Sequence, residues 1–140
     1  MTQEEYVDQI RTISRAIHNA AWALYENAHD LLAANKISQA QFNDIFTRYY
    51  QPADNMAFRI MENAAGAVLD NAQESIDAVT NGIAVLNNAS QEIEKTEKVA
   101  DAFVHLISVA ASVAAFAGAP SLTTANTVKS AVSGFIDSLS

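Results

Sequence analysis

The sequence predicts an all-α protein: an antiparallel bundle of four to five helices, with long helices at the N-terminal side. A short apolar hairpin, about 99–118 and 122–139, is expected at the C-terminus. Three observations carry this. Alanine, the strongest helix former, fills 27 of 140 positions, while glycine appears four times and proline twice. Apolar residues recur at alternating steps of three and four, the spacing of one helix face, and strand-like alternation is hard to find. Between Ala102 and Val128 no side chain carries a formal charge, so that stretch must be covered by a core, a partner or a bilayer. Half of the residues are hydrophobic, and one domain spanning 1–140 with its own core is expected.

Residues 3–34 read as one long amphipathic helix. Tyr6, Ile10, Ile13, Ile17, Ala20, Leu24 and Leu31 form a heptad seam with Asn27 in its one gap. Thr2 and Glu5 have capping-box spacing, and Glu4 and Glu5 suit the positive end of the helix dipole. Asn35 fits a terminator and Ser38 the N-cap of the next helix. Phe42, Ile45, Phe46 and Tyr49 then resume the pattern. Pro52 lacks a backbone donor, which predicts a kink or short break over 50–54.

Met56, Ile60, Ala64 and Ala67 carry the stripe forward. A second register runs through Ile76, Val79, Ile83, Leu86 and Ile93, then Ala100, Val104, Ile107, Ala111 and Ala114. It is weak between 90 and 100, where Ser90 and Glu97 fall on the seam. Asn88 and Gln91 have capping-box spacing, so a boundary near 87–90 is expected. Gly118-Ala119-Pro120-Ser121 is the clearest turn. Beyond it Leu122, Ala125, Val128, Val132, Phe135 and Leu139 make the last helix.

The net charge is −8, from 16 acids against eight bases, and no basic patch is present to neutralise phosphates. Nucleic acid is therefore not an expected partner, whereas a basic protein suits an acidic surface. The absence of cysteine excludes disulfides and thiolate chemistry. The opening MTQEEYVDQIRTISR lacks the basic and apolar regions of a secretory signal. The expected location is the cytoplasm, or a destination reached without a cleaved signal peptide.

Two groups of residues are candidate sites. Asp101, His105, Ser108 and Ser112 fall at steps of four, three and four, which places them on one narrow face of a helix that is otherwise apolar. Such a stripe suits a membrane-active helix, or the solvent side of a central bundle helix. Leu, Ile, Phe and Val contribute only about −0.3 to −0.6 kcal/mol each to insertion, and alanine dilutes them here, so a constitutive anchor is not expected. Conditional insertion of 99–139 on oligomerisation is the alternative. In outline, long helices ahead of an apolar hairpin resemble α-helical pore-forming proteins, although no motif carries the likeness and no residue role follows from it.

The second group is His18, Trp22, Tyr25 and His29, a strip beside the seam of the first helix. It suits packing on a neighbouring helix or an interface for a partner. Its histidines are about 16 Å apart along the helix, too far to share a metal. Glu26 and His29 make one Glu-x-x-His, half of what a di-iron bundle needs, with no second copy. No phosphate loop, His-Glu-x-x-His or Gly-x-Ser-x-Gly is present, and no cofactor is expected. The expected function is non-enzymatic: an acidic helical protein acting by protein–protein interaction, of an inhibitor, immunity or secretion and assembly type, its partner another protein or itself. A helical enzyme whose site is invisible in the sequence is a further alternative.

Overall fold

Capping decides where the first rod begins and ends. In a computed structural model, which describes residues 1–70 and 72–140 without the side chains of Ser90 and Gln91, α1 spans Gln3–Ala33. The Thr2 hydroxyl accepts from the Glu5 N–H at 3.1 Å, and the Glu5 carboxylate accepts from the Thr2 N–H at 3.4 Å. Asn35 takes a φ of 59°, a left-handed conformation that stops a helix and that asparagine tolerates. Ser38 and Gln41 then repeat the capping box at the start of α2 (Gln39–Ile45).

Of the kink or short break expected over 50–54, no break is present. The helix instead widens one turn early: Phe46–Tyr50 is π-helical, the Gln51 N–H bonding the Phe46 carbonyl, and Pro52 sits in the first turn of α3 (Gln51–Ala65). Two physical reasons coincide. Proline cannot donate to the carbonyl four residues back, so a regular helix would lose a bond at this point. Buried Ile45 and Ala53 are also eight residues apart, where two α-helical turns take up about 7.2, and a wider turn absorbs the surplus.

Residues 66–70 turn the chain back into α4 (Ala72–Asn88), which Ala89 separates from α5 (Ser90–Lys95). The boundary falls inside the expected 87–90 window, but Ala89 is the N-cap and Asn88 is the last residue of α4. The Gln91 side chain of the expected capping box lies outside the described residues. The hairpin follows as α6 (Val99–Gly118) and α7 (Leu122–Ser138), close to the expected 99–118 and 122–139. Ser121 and Thr124 cap α7 reciprocally.

Long-range hydrogen bonds fix the topology. The Tyr6 hydroxyl donates to the Ala117 carbonyl at 2.7 Å, and Asn27 Nδ2 donates to the Thr96 carbonyl at 2.6 Å, so α1 and α6 run antiparallel. Gln3 Nε2 reaches the Ala64 carbonyl at 2.9 Å and His18 reaches Asp54, so α1 is antiparallel to α3 as well. The chain thus runs up α1, down α2–α3, up α4–α5, down α6 and up α7. The protein is an all-α bundle of five rods, with no strand among the described residues.

The centre of this bundle is α6. Phe103, Leu106, Val109, Val113 and Phe116 have no solvent exposure, and α1, α3 and α7 pack around them. Burial explains why the helix is long and apolar enough to cross a membrane by composition. Three expected core positions and one helical position are corrected. Val104 is half exposed and Ala111 exposed, because residues 96–98 are not helical and the seam of α4–α5 does not carry its phase across them. Leu122 is half exposed at the first turn of α7, and Ala67, although packed against the core as expected, lies beyond the end of α3 and so off its helical stripe.

Candidate functional site

Antiparallel pairing of the first two rods assembles an aromatic surface that neither could present alone. From α1 come Trp22, Tyr25 and His29; opposite them stand Phe42, Phe46 and Tyr50, at steps of four through α2 and the π turn. Tyr25 is the hub, with ring centroids 5.4 Å from Phe42, 5.8 Å from Phe46 and 4.9 Å from Tyr50. Trp22 stacks on Tyr25 at 5.4 Å and meets Tyr50 edge-on at 6.2 Å. His29 sits edge-on to Phe42 at 5.9 Å. Each such pair is worth about 0.5–1.5 kcal/mol beyond its buried area, so the rings hold one another in place.

The surface is built but not covered. Trp22 is 46% exposed, Tyr25, Phe46 and Tyr50 are half-buried, and only Phe42 is sealed beneath them. His18, the remaining member of the α1 strip, lies at the edge with Nδ1 2.8 Å from Asp54 Oδ1. Burial among these rings holds the Tyr50 phenol above its usual value, and the nearby Asp54 charge adds to the shift. The Tyr50 hydroxyl is a hydrogen-bond donor as well as an acceptor.

Two hollows flank the strip. One, of about 350 Å³, is lined by Trp22, Tyr25, Glu26, His29 and Asp30. The other, of about 240 Å³, is lined by Ala23, Glu26, Asn27, Asp30 and Glu94, and shares the Glu26 and Asp30 wall. A third crevice of about 350 Å³ opens at the upper end of the bundle, between Leu31, Ile45, Tyr49 and Val99, with Asp44 and Asp101 at its mouth. Tyr49 thus turns inward over Phe103, at 6.3 Å, while its neighbour Tyr50 joins the outer surface.

The polar stripe of α6 is not brought to this surface. Asp101, His105 and Ser108 are exposed, and Ser112 is half-buried with its hydroxyl donating to the Val109 carbonyl at 2.7 Å. Asp101 and His105 share a face without an ion pair, and His105 lies against Gly134 of α7. Among the described residues, no group of three or more His, Asp or Glu side chains is placed to hold a metal ion.

The α1 strip was legible in the sequence, but its partners were not read as a site. Phe42, Phe46, Tyr50 and Asp54 at a constant step of four were the available signal. No protein-family model matches this chain, and no curated protein and no solved structure matches it.

Proposed function

We propose that this protein is a non-enzymatic acidic helical bundle that works by binding another protein through the Trp22–Tyr25–Tyr50 surface. A role as an inhibitor or immunity-type factor, or as an accessory of a secretion or assembly system, suits this reading. The observation that carries it is the half exposure of Trp22 on top of a ring cluster held by two rigid rods. Tryptophan and tyrosine are the residues most often found at the energetic centre of interfaces, and folding alone gains nothing from leaving the indole in water. The π turn that aims Phe46 and Tyr50 at this surface is a feature that often accompanies functional sites.

The test is partner capture with the intact chain, a Trp22→Ala/Tyr50→Ala variant, and a control variant on the far side, Ser133→Ala. A partner retained by the control and lost by the aromatic variant supports the reading. Equal capture by all three overturns it.

A second reading, membrane insertion of residues 99–139 on oligomerisation, draws on the length and apolar composition of α6. It requires the bundle to open, since Phe103, Leu106, Val113 and Phe116 are fully covered. Dye release from anionic vesicles at neutral and acidic pH decides it. Leakage that rises with protein concentration supports insertion, and intact vesicles at both pH values remove it.

A further inference from the structure

We infer that the occupant of the Trp22 surface is an arginine-bearing basic segment of a partner protein, one guanidinium lying over Trp22 and Tyr25 with its fork toward Glu26 and Asp30. The inference rests on the protein-binding reading above and deepens it.

Charge at the rim selects the occupant. Glu26 and Asp30 stand one turn apart on α1 and form the wall between the two hollows, and Glu94 faces them from α5. None of these three carboxylates is in an ion pair among the described residues. Two basic side chains at the edge of the aromatic surface already have carboxylate partners, His18 Nδ1 at 2.8 Å from Asp54 and Arg48 Nε at 3.0 Å from Asp44. The surface thus offers exposed π faces beside uncompensated negative charge. A planar guanidinium satisfies both at once, stacking on a ring while its N–H fork bonds a carboxylate, which an ammonium group does less well.

Shape argues for a protein segment over a small cation. The hollow beside Trp22 is open to solvent, and a small ligand needs most of its surface enclosed. A helix laid along α1 instead covers the rings with its body and reaches the second hollow with a cation one turn further on. A second copy of this chain is disfavoured by the same charges. Self-association would bring together two protomers that each carry a net charge of −8.

The experiment uses the chain's single tryptophan as a reporter placed at the proposed contact. The intact protein is titrated with amphipathic helical peptides of about 20 residues carrying arginine pairs one turn apart, and with otherwise identical citrulline and glutamate versions. The expected result is a saturable change in Trp22 emission for the arginine peptides, with Kd below about 100 µM. Citrulline is expected to weaken binding at least about tenfold, and rising salt to weaken the arginine peptides further. A Glu26→Gln/Asp30→Asn/Glu94→Gln variant, checked by thermal melting for an intact fold, is expected to lose affinity by at least about tenfold.

Equal binding of citrulline and arginine peptides, equal binding by the carboxamide variant, or no saturation up to about 1 mM overturns the inference. Running the carboxamide variant in the capture experiment separates the two failures. A partner that needs Trp22 and Tyr50 but ignores the three carboxylates leaves the interface standing and removes the basic occupant. A partner indifferent to all five residues removes both.

Discussion

Asn27 fills the one polar position in the α1 seam, and its amide fastens the C-terminal part of that helix to the turn before α6. It is buried, and Nδ2 donates to the Thr96 carbonyl at 2.6 Å. Removing the donor leaves a carbonyl in the interior without its partner, so Asn27→Ala is expected to cost about 1–3 kcal/mol in urea denaturation. A change within error would show that the bond contributes nothing net. Tyr6 does the same at the opposite end, its fully buried hydroxyl donating to the Ala117 carbonyl. Burial holds this phenol far above its usual 10.0. Its folded value exceeds its unfolded value, so its contribution is complete below about pH 10 and is lost as pH rises beyond that, where only the unfolded chain releases the proton. Melting temperature is therefore expected to fall from about pH 10 upward, with a shallower slope in Tyr6→Phe. Identical slopes would contradict the assignment. The capping residues Thr2, Asn35 and Ser38 were readable from local spacing, because a cap is satisfied within three residues. The partners of Asn27 and Tyr6 lie 69 and 111 residues away and leave no local trace.

The helices themselves were legible wherever one uninterrupted periodicity ran between strong punctuation. The hairpin is the clearest case, since Gly118 and Pro120 end one helix and Ser121 caps the next. Phase was lost wherever the punctuation was weak. Carrying one seam from Ile76 to Ala114 ignored the non-helical residues 96–98 and placed Val104 inside, where the structure has Phe103 and Leu106. Pro52 signalled irregularity correctly, but the helix met it with a π turn upstream and no break. This account of α6 is tested by paired substitutions. Leu106→Ala removes a fully covered side chain from the bundle centre and is expected to cost about 2–5 kcal/mol. Ser108→Ala, on the solvent stripe of the same helix, is expected to change stability by less than about 0.5 kcal/mol. Equal effects would mean that the face of α6 is assigned wrongly.

Across the whole molecule, the apolar sides of five rods are spent on one another, while an aromatic surface between the first two rods is left partly open. Half of that surface, the strip on α1, could be read from helical spacing. The other half shows in the sequence as a step of four, but not as the partner of this strip, because which rod pairs with which, and at what height, depends on long-range contacts such as His18–Asp54 and Gln3–Ala64. The negative charge read as a global property also acquires a place, in Glu26 and Asp30 beside Trp22 and Glu94 across the adjoining hollow, none of them in an ion pair among the described residues. Association steered by such charge should be sensitive to ionic strength, since exposed pairs are screened within about 8 Å at physiological salt. The most direct test is chemical-shift mapping on isotopically labelled protein with a captured partner. Shifts are expected to centre on Trp22, Tyr25, Phe46 and Tyr50 and to fade toward α7. Shifts centred on the Asp101–Ser112 stripe of α6, or on the groove between α4 and α7, would contradict the account.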